Sequence, residues 1–151
     1  MHYYRLMQAW KQNDGNDFNF YDAHDLNSAR DSSQEASIKA QLAERMRNSK
    51  EFILLAGERT RYLTKFVHWE IEQAISRQLP IIVVNLNGLR SMDNERCPTP
   101  AKQALAVHIS FNMAIMQYAL DNWPNSHESF RKQGKSGPYY YKDEIYKGRG
   151  L

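Results

Sequence analysis

Apolar and polar positions along the chain alternate between two periods. Tyr3, Tyr4, Met7 and Trp10 recur at three- and four-residue spacing and predict an amphipathic helix, stopped by the turn cluster Asn13-Asp14-Gly15-Asn16. Phe18 to Asp22 alternates with period two and predicts a strand. A polar stretch from Ala23 to Ser33 predicts a long loop. A second helix is expected over Ser33–Asn48, with Ser32 or Ser33 as its cap, Glu35 in its first turn, and Ile38, Leu42, Ala43 and Met46 as its buried stripe. Glu51–Ala56 and Pro80–Leu86 are continuous apolar runs, as in strands buried on both faces. Between them Gly57–Thr64 predicts a polar loop and Lys65–Gln78 a third helix. Asn87-Gly88 signals a turn. Ser91–Pro100 predicts a loop, Ala104–Phe111 a further extended element in which Val107, Ile109 and Phe111 alternate, and Asn112–Asn122 a helix that ends at Trp123-Pro124.

Helix–strand alternation with apolar strands predicts an α/β fold, a flavodoxin-like parallel sheet with helices on both faces. Ligands in such sheets bind beyond the carboxyl ends of the strands. The loops there are Ala23–Ser33, Gly57–Thr64 and Asn87–Pro100. In this strand order the first strand is central, yet the chain opens on a helix. The expectation is therefore that the opening strand is missing and its slot is filled by an upstream extension, by Ala104–Phe111 or by a partner's edge.

With 151 residues the chain has the length of one ordinary domain. Residues 1–124 are expected to form it, with 125–151 as a basic, tyrosine-rich strap packed on the same domain. The net charge of +3 is uneven. Arg131–Leu151 holds six Lys/Arg and two acids, hence 6 − 2 = +4, and the rest carries 14 − 15 = −1. Such a confined charge argues against a nucleic-acid-binding face. No apolar run reaches the ~18–20 residues of a membrane span, and the N-terminus has no signal-peptide core, so a cytoplasmic location is expected. One cysteine, Cys97, excludes an internal disulfide and cysteine metal clusters, and has no adjacent base to make it a nucleophile. The five histidines are scattered, so no metal is expected.

Candidate chemistry centres on the third helix. Around a stripe of Val67, Ile71, Ala74, Ile75 and Gln78, Glu70 lies about 85° from the stripe centre, Glu72 about 115° and Trp69 about 175°. Glu70 is thus at the border of the buried face near the helix start, at the carboxyl edge of the sheet. A structural ion pair and a functional carboxylate are both open for it. Trp69 is expected to point to solvent as a contact surface or lid partner, or to be shielded by the tail. Thr60 suits either a phosphate contact or a helix-cap or turn role. His24, Asp25, Asn27 and Ser28 suit nucleotide contact, contact with a second protomer, or a solvated loop with Asx turns.

Phe18–Asp22, the Ser33–Asn48 helix, Glu51–Ala56, Thr60 followed by Phe66-Val-His-Trp-Glu70-Ile, and Pro80-Ile-Ile-Val-Val-Asn-Leu-Asn-Gly88 together resemble bacterial antiphage TIR-like domains of the Thoeris ThsB type, from about Met1 to Pro124. The resemblance implies cleavage of NAD as a substrate, with no cofactor, releasing nicotinamide and ADP-ribose or a cyclised isomer. It implies Glu70 as the catalytic residue, with Asp22, His24, Asp25, Thr60 and Trp69 around the substrate. It also implies self-association through helices and loops, and a downstream effector that responds to the product. A non-catalytic TIR-like interaction module is the alternative. A nucleotide-binding protein of flavodoxin-like shape is disfavoured, because the chain lacks a Gly-x-Gly-x-x-Gly fingerprint.

Overall fold

A computed structural model describes residues 32–47, 50–58, 60 and 67–151. The predicted N-terminal helix, the Phe18–Asp22 strand, the Ala23–Ser33 loop up to Asp31 and the question of an empty first-strand slot lie outside the described residues. Within them the chain order is α1 (Ser32–Arg47), β1 (Phe52–Ala56), α2 (Val67–Ser76), β2 (Ile81–Asn85), α3 (Thr99–Gln103), β3 (Ala106–Ser110), α4 (Met113–Lys132), β4 (Pro138–Tyr139) and α5 (Asp143–Lys147). The four strands pair in the order β1-β2-β3-β4, all parallel. Phe52 faces Ile81 and Ile81 faces Ala106, so the carboxyl ends of β1, β2 and β3 are level at Ala56, Asn85 and Ser110. The Ala104–Phe111 element is thus the third described strand, on the far side of β2 from β1, and not a filler beside β1.

Strand geometry sends successive side chains to opposite faces, and this divides the core into two. Phe52, Leu54, Ile81, Val83 and Ala106 meet Met46 of α1, Val67, Ile71 and Ala74 of α2, and Ala101 of α3. Ile53, Ile82, Val84, Val107 and Ile109 meet Ile115, Met116, Ala119 and Trp123 of α4 and Tyr146 of α5. Every residue of β2 and β3 is buried. The alternation of Val107 and Ile109 therefore marks not a half-exposed strand but one in which His108, fully buried, shares the opposite face with Ala106 and Val83.

The structure corrects three readings of the sequence. The helix expected to stop at Trp123-Pro124 runs on to Lys132. A proline inside a helix costs about 3 kcal/mol by removing one hydrogen bond and crowding the preceding turn. Burial of Trp123 and His127 and the packing of Phe130 on the same core offset that cost. Within the expected Ser91–Pro100 loop, Cys97 is buried in the core rather than held in a polar loop, and α3 begins at Thr99 with a proline in its first turn, where the missing N–H is harmless. Finally, Ile75 is 44% exposed and Gln78 is outside α2, while Glu70 is buried with Val67, Ile71 and Ala74. The buried stripe of α2 is rotated towards Glu70.

The C-terminal residues pack on the α4 face. Tyr139 stacks on Phe130 with ring centres 4.6 Å apart, and Tyr141 meets Tyr118 edge-on at 5.0 Å. Tyr146 is fully buried, and the Arg149 guanidinium lies 3.8 Å from the centre of the Tyr118 ring. Aromatic burial, rather than the basic charge, holds this segment.

Candidate active site

The carboxyl edge of the sheet is built from short polar turns. After β1, Gly57 lies close to Leu86: an added Cβ would stand 3.1 Å from the leucine Cδ1, so that side-chain tip would have to yield by a few tenths of an ångström. The Gly57 N–H donates to the Thr60 hydroxyl at 2.8 Å, and the hydroxyl donates to the Leu55 carbonyl at 3.2 Å. Thr60 thereby closes the first turn after the strand, and its one hydroxyl proton is committed to that turn. Of the two roles open to Thr60, the turn is the one its hydrogen bonds perform.

After β2, Asn85 is buried at the strand end. Its side-chain amide donates to the carbonyls of Leu89 at 3.0 Å and Ser91 at 2.8 Å. Gly88 takes a φ of +85°, a conformation that glycine adopts freely, and its N–H donates to the Asn85 carbonyl. The Asp93 carboxylate braces the rest of the loop, accepting from the N–H groups of Glu95 at 2.9 Å and Arg96 at 3.1 Å and from the Asn87 amide at 2.9 Å. Burial works to raise the Asp93 carboxyl, and these hydrogen bonds with the Arg96 charge outweigh it, holding the group below the usual carboxylate range.

Behind this edge stands α2. Glu70 lies in its first turn and is 1% exposed. The sequence placed it at a border; the structure places it within the buried stripe, on the sheet face covered by α1, α2 and α3. A carboxylate in the first turn is favoured by the helix dipole. Glu72, two residues on, is exposed. Trp69 does not point freely into solvent as expected: it is half-buried, and the Lys39 ammonium of α1 lies 5.7 Å from its ring centre. Asp22, His24 and Asp25 lie outside the described residues.

Cys97 is chemically quiet: burial pushes its thiol up to about 11, leaving almost no thiolate at neutral pH. His108 was missed by the sequence reading. Burial pushes its imidazole down to about 4, so it is neutral inside β3. A lone histidine in an apolar run was the only available signal. Among the described residues no group of three or more His, Cys, Asp or Glu is placed to hold a metal ion, and no helix is long and apolar enough to cross a membrane.

A parallel sheet with helices on both faces, polar turns at its carboxyl edge and a buried carboxylate on the helix after β1 define an α/β protein of TIR-like architecture. A family model described as Thoeris protein ThsB, TIR-like domain, matches residues 1–91, and the chain belongs to that family. The match spans β1, α2 and β2, and so includes Glu70, Thr60 and Trp69. No curated protein matches the chain.

Proposed function

We propose that the protein cleaves NAD between nicotinamide and ribose, with Glu70 as the catalytic carboxylate, and so makes an ADP-ribose-type signal, linear or cyclic, in antiphage defence. The observation that carries this reading is the burial of Glu70 in the first turn of the helix after β1, inside the family-matched residues. The C1′–N bond of the ribose breaks, and its electron pair neutralises the pyridinium as nicotinamide leaves. Positive charge then develops on the ribose as an oxocarbenium ion. A carboxylate held close in a site poor in water stabilises that charge far more than one in bulk solvent. In hydrolysis water adds at C1′ and releases one proton; in cyclisation a nucleophile of the same molecule takes that place. The leaving group needs no general acid.

The turn closed by Thr60 stands at the carboxyl end of β1, and Trp69 precedes the carboxylate in the first turn of α2. Asp22, His24 and Asp25 join this proposal on the resemblance alone. At 1% exposure, Glu70 meets a ribose only after the groups covering it are displaced, so the reading requires that NAD binding expose it. A second copy of this chain and an effector that reads the product are the partners this function calls for. Incubation of the purified protein with NAD tests it: nicotinamide should accumulate, whereas intact NAD would leave the interaction-module reading.

A further inference from the structure

Arg90 is presented rather than loosely displayed. It lies between the two carbonyls, Leu89 and Ser91, that the Asn85 amide fixes. Its guanidinium carbon is 4.1 Å from the centre of the Tyr146 ring, which is fully buried and so serves as a fixed platform. On the same cleft as Arg90, the chain leaves β4 towards the carboxyl edge, carrying Tyr140, 65% exposed, and Lys142, Asp143 and Glu144. These residues and Ser91 line a cleft of about 470 Å³. That is within the roughly 300–1,000 Å³ of small-molecule sites. Neither Arg90 nor Lys142 makes an ion pair with a described residue.

We infer that this cleft is a binding site for a nucleoside monophosphate, with the phosphate between Arg90 and Lys142 and the base against Tyr140. The chemistry of the lining selects that class. Two cations lining one cleft suit one phosphate group, and an exposed tyrosine face suits a planar base. Asp143 and Glu144 supply acceptors for ribose hydroxyls and cancel the two positive charges, which disfavours polyphosphates and a nucleic-acid backbone. The site belongs to the sheet face covered by α4 and α5, whereas Glu70 belongs to the face covered by α1, α2 and α3. It therefore stands whether or not the protein cleaves NAD.

The test is a titration of the isotope-labelled full chain with AMP, read from amide shifts by NMR, beside adenosine and inorganic phosphate. Saturable AMP shifts are expected at Arg90 and Ser91 and over residues 140–144, with both fragments binding more weakly. Arg90→Gln and Tyr140→Ala should each weaken AMP at least about tenfold, the scale of losing one stacked or charged contact. Tyr140 is exposed, so its replacement leaves the fold intact and decides the matter should Arg90→Gln perturb it. The inference is overturned if AMP gives no saturable shifts, if they gather around Glu70 instead, if Tyr140→Ala binds as wild type, or if inorganic phosphate binds as tightly as AMP.

Discussion

The side-chain amide of Asn85 donates to the Ser91 carbonyl at 2.8 Å, tying the end of the central strand β2 to the loop that carries Arg90. A second bond from the same nitrogen to Leu89, at 3.0 Å, makes the tie bidentate. Asn85 is 1% exposed, whereas Leu89 and Ser91 are exposed, so their carbonyls can turn to water when the amide is removed. Asn85→Ala should destabilise the protein by about 1–3 kcal/mol, from two hydrogen bonds worth roughly 0.5–1.5 kcal/mol each. Urea denaturation measures this, and hydrogen exchange of the 88–92 amides should accelerate beyond the global effect.

Gln78 ends α2 with a φ of +58°, and the Leu79 N–H reaches back to the Ala74 carbonyl at 3.0 Å. This is a helix end that favours glycine, because a Cβ is strained in the left-handed region. Gln78→Gly should therefore raise stability by about 0.5–1 kcal/mol. The melting temperature checks the sign.

Two buried groups pull the acid stability in opposite directions. Burial pushes His108 from 6.5 down to about 4, so the unfolded chain binds the extra proton between those values and stability is lost as pH falls. Burial, with the Asp121 carboxylate adding, pushes Glu51 from 4.5 up to about 7. Here the native state holds the extra proton, and stability is lost as pH rises through that window. His127, lowered by burial and by Arg131, sides with His108, and Asp93 acts only below its ordinary 3.8. Between pH 6.5 and 4.5, Glu51→Gln removes the opposing slope. The variant should lose more stability on acidification than wild type, by about 2 kcal/mol, since the full ~1.4 kcal/mol per pH unit applies only well inside the window. Urea midpoints at three pH values read the difference.

Tyr146 anchors the C-terminal segment. Its replacement by alanine empties a fully buried site in the core cluster that also holds Trp123 and removes the platform under Arg90. A loss of about 3–5 kcal/mol is expected, as for other large buried aromatics. Limited proteolysis should then cut within 133–151 first.

Much of the sheet is legible in the sequence because β1 and β2 are unbroken apolar runs, as strands buried on both faces commonly are, whereas β3 is equally buried but interrupted by His108 and Ser110. Helix α4 is less so: Pro124 is a local stop signal, and only the tertiary burial of Trp123 and His127 overrides it. The same limit explains Ile75 and Glu70. Periodicity finds the axis of a buried stripe to within about one residue, or 100°, and a polar residue is given no weight in placing it. Thr60 was legible as a turn former, since its hydroxyl needs only partners three and five residues away. Arg90 was not, because its significance depends on Tyr146, 56 positions further along the chain, and no local pattern links the two.

The central claim is that Glu70 breaks the nicotinamide–ribose bond. Glu70→Gln keeps the shape and removes the charge, and Glu72→Gln makes the same change at an exposed position of the same helix. Purified wild type and both variants are incubated with NAD, and nicotinamide is followed by chromatography, with melting temperatures as the check on folding. Wild type and Glu72→Gln should release nicotinamide at similar rates, and Glu70→Gln should be slower by about 10²-fold or more, the scale of losing one charge-stabilising group, with its melting temperature nearly unchanged. Nicotinamide release by a folded Glu70→Gln at the wild-type rate, or its loss in Glu72→Gln alone, would contradict the account.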